Sequence, residues 1–301
     1  CIRDSFTKLA RWASFVKLPH TVFALPFALV GVVLASRLPV GTGLGTRAPL
    51  TFGRVAWVVL AFTAARWVAM AVNRIVDREF DARNPRTVMR EIPRGAIGVR
   101  AAWGTVVVAA GLFVWAAGRL NPLCLALSPV ALGWVCFYSF TKRFTRYAHL
   151  VLGLGLAIAP VGGYLAVSGA WSEPWWLLLL LTLAITTWSG GFDILYALPD
   201  VAFDRANGLH SIPAALGVPR AIVVARGLHL VTVVALAATV VAAGLGTAAW
   251  VGVAIAATLL AYEHALVRAD DLSKLDAAFF TMNGVISMGF FACVLVDRWL
   301  S

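Results

Sequence analysis

Residues 54–72, RVAWVVLAFTAARWVAMAV, run without a break into residues 73–84, NRIVDREFDARN. The first part is long enough to cross a bilayer, which takes about 20 mostly apolar residues. Apart from Arg54 at its start, its only charge is Arg66. The second part places Asp77, Glu79 and Asp81 where that span would leave the membrane. Carboxylates at a span end oppose insertion, so they need a reason. The rest of the chain repeats the apolar half of this pattern. Of its 301 residues, 61% are hydrophobic and 13% charged, with a mean hydropathy of +0.86. Soluble domains average roughly 45–50% apolar and about 25% charged. A water-soluble globule, a disordered chain and a fibrous repeat are therefore excluded. The expected fold class is an all-α integral membrane bundle, since lipid leaves an open backbone unsatisfied.

Nine apolar runs support nine transmembrane helices, near 19–38, 54–72, 99–117, 121–140, 149–167, 175–196, 221–243, 247–267 and 275–296. The net charge of +11 fits the excess of Lys and Arg expected in cytoplasmic loops, so no nucleic-acid partner is implied. Arg3, Lys8, Arg11 and Lys17 precede the first run without a small-residue cleavage site, so no cleavable signal is expected. Arg74, Arg78, Arg83, Arg86, Arg90, Arg94 and Arg100 follow the second run, and Lys142, Arg143 and Arg146 follow the fourth. The opposite side carries only Arg37, Arg47, Arg54, Arg119 and Arg298. This asymmetry puts the N-terminus and both acidic segments on the cytoplasmic side. Trp171, Trp175 and Trp176 read as an interfacial belt opening the sixth run. Cys1, Cys124, Cys136 and Cys293 show no metal-ligand or paired spacing, so neither a disulfide nor a zinc site is expected. Gly41 to Gly45 reads as a linker.

Seven of the fourteen acidic residues fall in two short segments. In the first, Asn73, Asp77 and Asp81 are spaced four apart, which puts them on one helix face. Glu91 follows them. The second, residues 193–207, reads DILYALPDVAFDRAN. Asp193, Tyr196, Asp200 and Asp204 again share a face, with Pro199 expected to interrupt the helix just before Asp200. Like charges at this spacing repel, and a cation between them relieves the repulsion. The segments also match each other. Asp81-Ala-Arg-Asn84 echoes Asp204-Arg-Ala-Asn207, and Ile92-Pro93 before Gly98 echoes Ile212-Pro213 before Gly217. Four runs separate them, so both have one orientation. Residues 1–301 then form one domain with a parallel internal repeat, about 19–145 and 149–267, plus a last helix at 275–296. Paired carboxylates suit Mg²⁺, which takes one or two of them together with substrate phosphates. The surrounding arginines suit a polyanion. Together they predict a diphosphate site at the membrane boundary, with a hydrophobic tail among the helices below.

On these residues the sequence resembles the UbiA-type intramembrane aromatic prenyltransferases. Their N-x-x-x-D-x-x-x-D motif stands at Asn73, Asp77 and Asp81, and their Y-x-x-x-D-x-x-x-D motif at Tyr196, Asp200 and Asp204. The likeness runs from His20-Thr-Val-Phe-Ala-Leu-Pro-Phe to the last run. Arg90-Glu-Ile-Pro-Arg-Gly95, Tyr138-Ser-Phe-Thr-Lys-Arg143 and His149-Leu-Val-Leu-Gly resemble the 4-hydroxybenzoate polyprenyltransferase-like menaquinone branch. Ubiquinone-type members usually have Arg-Pro where Arg90-Glu91 stands. The resemblance implies a UbiA-like bundle with a central cavity in the inner cell membrane. It implies Mg²⁺ held by Asp77, Asp81, Asp200 and Asp204, with Asn73 as a further metal or diphosphate ligand. It implies transfer of a polyprenyl group from a polyprenyl diphosphate to an aromatic acceptor of the 1,4-dihydroxy-6-naphthoate or 4-hydroxybenzoate type, in menaquinone or ubiquinone biosynthesis, and the Arg90-Glu91 departure implies the naphthoate rather than 4-hydroxybenzoate itself. In that chemistry an allylic cation is attacked by an electron-rich ring, and an apolar cavity keeps water from quenching it.

Further residues belong to the expected substrate site. Arg66 lies two helical turns before Asn73, and a buried intramembrane Arg is functional by default. It either binds an acceptor carboxylate or pairs with Asp193, seven residues before Asp200. Arg78 belongs to the polyanion surroundings. Lys142 and Arg143 either cap the diphosphate or are ordinary cytoplasmic-side charges. Tyr138 and Tyr196 either face the cation with their rings or simply pack. His20 and His149 read as interfacial anchors. The rival outside enzymes is a cation-coupled transporter, but transporters usually carry such carboxylates near the midplane, on broken helices of inverted repeats. CDP-alcohol phosphotransferases are excluded because their D-G-x-x-A-R signature is absent.

Overall fold

A computed structural model describes residues 10–17, 21–37, 50–269, 271–272, 275 and 282–300. His20, Gly41 to Gly45, Cys1, Arg3, Lys8, Arg47 and the start of the expected ninth span lie outside these residues. Long helices are α1 (Thr21–Arg37), α2 (Phe52–Val76), α4 (Val99–Leu120), α5 (Pro122–Phe137), α6 (Ala148–Ser168), α7 (Leu177–Tyr196), α10 (Val218–Ala242), α11 (Thr247–Leu266) and α12 (Asn283–Leu300). Short helices between them are α3 (Arg78–Arg83), α8 (Val201–Ala206) and α9 (Ile212–Leu216). Among the described residues, each of these long helices overlaps one of the expected apolar runs. Eight among the described residues are long and apolar enough to span, counting α5 with the 3₁₀ turn Tyr138–Arg143 that extends it. α1 is described over 17 residues, and α12 is described from Asn283.

The acidic segments sit where helices are made to end. Thr51 caps α2 by accepting the Arg54 N–H at 3.2 Å. Its 25 residues rise about 38 Å at 1.5 Å each. The hydrocarbon core is roughly 30 Å thick, so the end of α2 reaches headgroup level. α7 stops at Tyr196 because Pro199 cannot supply an N–H to continue it. A 3₁₀ turn, Leu198–Asp200, then leads into α8.

α7 is the most buried span, and it packs most extensively against α6 and α10. Trp188, Leu181 and Ile185 of α7 anchor the main core, with Phe27 of α1 and Phe290 of α12 against them. α1 crosses α6 at van der Waals contact of the backbones. A Cβ on Gly163 would strike Ala28 O, and one on Gly31 would strike Pro160 O. Such small-residue contacts replace the hydrophobic drive that lipid cannot supply. Large apolar side chains such as Val107, Val108, Trp115, Leu230 and Val234 are more than half exposed on the outside. That surface is tolerable only against acyl chains. Trp171, Trp175 and Trp176 are likewise exposed, just before α7, as the interfacial reading requires.

Residues 10–15, ahead of the first expected apolar run, are helical. Phe15 there is fully buried, Trp12 stacks on Trp67 at 6.4 Å, and Ser14 Oγ donates to Glu91 Oε1 at 2.6 Å. Cys124, Cys136 and Cys293 are free thiols.

Candidate active site

A cavity of about 790 Å³ runs through the bundle. Asn73, Asp77 and Asp81 line it from α2 and α3, and Tyr196, Asp200 and Asp204 line it from α7 and α8. The two acidic segments, more than a hundred residues apart in the chain, thus meet at one mouth. Below them the walls are apolar, with Phe62, Phe113, Leu127, Trp134, Trp188 and Phe192.

The first segment bends at Asp77, which leaves helical geometry at φ −89, ψ 5. The ladder nonetheless runs across the bend: the Asp77 N–H donates to Asn73 O at 2.9 Å, and the Asp81 N–H to Asp77 O at 2.8 Å. Asn73, Asp77 and Asp81 therefore stay on one face. Asn73 Nδ2 donates to Asp77 Oδ2 at 2.9 Å. Asp81 is 6% exposed, and its Oδ1 pairs with Arg90 Nη1 at 2.6 Å. Its other oxygen, Oδ2, is buried without a partner. In the second segment, Asp204 is 4% exposed and its Oδ2 accepts from Ser211 Oγ at 2.9 Å. Asp200 is held from the first segment. Arg86 Nη1 pairs with its Oδ2 at 2.6 Å, and Asn84 Nδ2 donates to its Oδ1 at 3.1 Å.

Crowding shows in the electrostatics. Burial pushes the Asp77 carboxyl up to about 6, and Asp81 adds to the shift while Lys142 and Arg143 oppose it. Burial also raises Asp204, against the pull of Lys142 and the Ser211 bond. A cation would lower the cost of keeping these acids ionised.

Among the described residues no three His, Cys, Asp or Glu side chains converge tightly enough to hold a metal by themselves. This fits Mg²⁺, which is usually completed by water and substrate phosphate rather than by an all-protein cage. The donors are hard oxygens, Asp81 Oδ2 is unsatisfied, and guanidinium groups already lie on Asp81 and Asp200. The residues present fit the ion.

Other expected residues divide. Lys142, Tyr138 and Asp193 line the cavity. Tyr138 donates its hydroxyl to Ala69 O at 3.3 Å. Arg66 also lines it, and its Nε is buried without a partner. The expected Arg66–Asp193 pair does not form. Asp193 Oδ2 instead meets His149 Nδ1 at 2.6 Å. His149 is accordingly no interfacial anchor, since it is wholly buried and faces Asp193 from α6. Arg143 lies outside the cavity lining. It donates to Val76 O at 2.8 Å, stands 3.9 Å from Asp77, and stacks over Phe80 and Phe140. Arg78 is outside as well, bonded to Ile75 O and the exposed Glu79. Asn84, Arg86, Arg90 and Ser211 bond to the motif carboxylates, and sequence reading assigned none of them individually. Only the Arg-rich loop and the matching Asn84 and Asn207 pointed to them.

The model of the UbiA prenyltransferase family matches residues 24–285. A protein described as 4-hydroxybenzoate octaprenyltransferase, from Alkalilimnicola ehrlichii, is 32% identical over 223 residues, 72% of this chain and 74% of its own length. The apo structure of a UbiA homolog from Aeropyrum pernix K1 is 33% identical. It superimposes with a TM-score of 0.82 over 92% of this chain and 98% of its own. A UbiA homolog from Archaeoglobus fulgidus, solved bound to DMAPP and Mg²⁺, is 17% identical. It shares the fold at a TM-score of 0.70, over 97% of this chain and 100% of its own.

Proposed function

The chain belongs to the UbiA prenyltransferase family, and from that premise we propose that it transfers a polyprenyl group from polyprenyl diphosphate to an aromatic carboxylic acid of the 4-hydroxybenzoate type. It is a multi-pass membrane enzyme, and the transporter alternative falls. The observation that carries the proposal is one cavity with an aspartate-lined mouth, apolar walls and the unpartnered Arg66 Nε.

Asp77, Asp81, Asp200 and Asp204 would hold Mg²⁺ on the donor diphosphate, with Asn73 orienting Asp77. Bound there, Mg²⁺ supplies charge neutralisation for the departing diphosphate. The chain's own residues do the rest. Lys142 at the mouth adds positive charge beside the same leaving group. The rings of Tyr138 and Tyr196 line the space where the allylic cation develops. The apolar walls hold the tail and exclude water. Arg66 takes the acceptor carboxylate, leaving the electron-rich ring between it and the mouth.

A 1,4-dihydroxy-6-naphthoate acceptor carries the same carboxylate and is the second reading, carried by the menaquinone-like Arg90-Glu91. Glu91 binds Ser14 and does not line the cavity, so it does not shape the acceptor pocket. That favours the benzoate. The placement proposed is the inner membrane with the aspartates facing the cytoplasm, on the Lys and Arg asymmetry. The parallel repeat is proposed too. Asp81 and Asp204 are each buried in a six-residue helix following a long span.

A radiolabelled prenyl-transfer assay on membranes with Mg²⁺ tests the proposal. It compares 4-hydroxybenzoate with 1,4-dihydroxy-6-naphthoate. Transfer to one of them, abolished in Asp77→Ala and Asp200→Ala, is expected. No transfer to any aromatic, or full activity in both variants, would sink it.

A further inference from the structure

Asp200 differs from the other motif carboxylates in how it is held. Asp81 keeps a buried oxygen, Oδ2, without a partner, so it can accept a cation with Arg90 still in place. Asp200 has Arg86 on Oδ2 at 2.6 Å and Asn84 on Oδ1 at 3.1 Å. Both come from the first half of the chain and reach across to the second. The segment is built for this reach. Pro85 holds Asn84 extended, at φ −92, ψ 120. Asn84 Oδ1 then accepts the Arg86 N–H at 2.9 Å, which turns the Arg86 side chain toward Asp200. The guanidinium also lies over the Tyr196 ring, 5.2 Å from its centroid. The pair is partly open to solvent, with side-chain exposures of 33% for Arg86 and 23% for Asp200. Arg86 is therefore able to swing away without unpacking a core.

A divalent cation on Asp200 and a guanidinium on the same carboxylate bring like charges within a few ångströms, which is costly unless an anion lies between them. A diphosphate is such an anion, and arginine binds phosphate oxygens in a fork. We propose that Arg86 is an exchangeable counter-ion: it holds Asp200 until a donor diphosphate arrives, then passes to the diphosphate and leaves Asp200 to the cation. This rests on the prenyl-diphosphate reading above and goes beyond it. It makes Arg86 a donor-site residue, and it couples cation binding at the second motif to donor binding. Linkage makes that coupling reciprocal.

The test uses the full chain in detergent, with Mn²⁺ followed by electron paramagnetic resonance and inorganic pyrophosphate by calorimetry. Wild type is compared with Arg86→Gln and with Arg83→Gln. Arg83 bonds the Glu79 carbonyl and stacks on Phe80, so its loss removes the same charge from the same loop without touching a motif carboxylate. Without pyrophosphate, Arg86→Gln is expected to bind Mn²⁺ roughly tenfold more tightly than wild type. Without divalent cations it is expected to bind pyrophosphate several-fold more weakly. Arg83→Gln should change each by no more than about twofold, because it acts only through screened charge. Unchanged Mn²⁺ affinity in Arg86→Gln, or equal gains in the two variants, overturns the proposal. So does a gain for Mn²⁺ with no loss for pyrophosphate. If wild type binds Mn²⁺ neither alone nor with pyrophosphate, the metal reading itself fails and the exchange with it.

Discussion

Arg66 carries a charge into a cavity whose walls are otherwise largely apolar, and its Nε has no partner there. An unpaired buried donor costs about 1–3 kcal/mol, more when it is charged. An acceptor carboxylate would remove that cost. Arg66→Ala should therefore raise the acceptor KM by roughly ten- to a hundredfold, an energy of about 1.4–2.7 kcal/mol. The donor KM should stay unchanged, and Arg66→Lys should restore part of the loss. An unchanged acceptor KM would remove Arg66 from the acceptor site. His149 makes a different kind of contribution. It is fully buried and holds Asp193 at 2.6 Å, while Asp193 itself reaches the cavity. Removing the imidazole takes the hydrogen bond from a carboxylate inside the bundle, and a hydrogen bond to a charged group is worth about 1.5–3 kcal/mol. His149→Leu is thus expected to lower the thermal midpoint in detergent as well as activity. Loss of activity with an unchanged midpoint would show that His149 does more than hold Asp193.

Two elements set the site, and both are interrupted helices. α2 bends at Asp77 but keeps its hydrogen-bond ladder, so the four-residue spacing read from the sequence survives. α7 ends before Pro199, and α8 restarts at Val201 with Asp200 between them. Pro199→Ala should let the helix run on and rotate Asp200 and Asp204 away from the mouth. We expect at least a tenfold fall in kcat/KM, with the helical circular dichroism retained. Normal kinetics would mean that the interruption does not place the aspartates. The α1–α6 crossing makes a second demand, because a Cβ on Gly163 runs into Ala28 O. Overpacking typically costs about 1–3 kcal/mol. Gly163→Val should thus destabilise the bundle by at least that much in a thermal melt, whereas Gly162→Ala, with open space around it, should not. The spans and motif carboxylates were legible because span length and four-residue spacing are local properties of the chain. The partners of those carboxylates were not. Asn84 and Arg86 lie more than a hundred residues from Asp200, and His149 lies 44 from Asp193. A short periodic pattern carries no information about which distant side chain will stand opposite. Arg78, read as part of the polyanion surroundings, lies outside the cavity lining and bonds its neighbour Glu79.

At the scale of the whole molecule, the charge asymmetry and the site occupy the same end of the bundle. The arginines on which the proposed orientation rests include Arg86 and Arg90, which hold motif aspartates. The Arg-rich loop thus also closes the mouth, so the cytoplasmic side proposed for that loop is the side proposed for the site. Lys and Arg near span ends are retained on the cytoplasmic side, while neutral ends cross. Gly95 lies in the Arg-rich loop, and Trp171 lies before α7, one span away from the mouth. With the native cysteines replaced by serine, Gly95→Cys should react with a membrane-impermeant maleimide in inside-out vesicles only. Trp171→Cys should react in right-side-out vesicles or intact spheroplasts only. The reverse pattern would place the aspartates on the outer side and overturn the orientation, whatever the transfer assay showed. Chelation supplies the matching chemical test. EDTA should abolish prenyl transfer in inside-out vesicles, and Mg²⁺ added from outside should restore it at once, because the carboxylates face that solution. In sealed right-side-out vesicles loaded with Mg²⁺, EDTA outside should leave transfer unimpaired until an ionophore carries the ion across. Loss of transfer there without the ionophore would contradict a cytoplasmic mouth on grounds independent of the labelling.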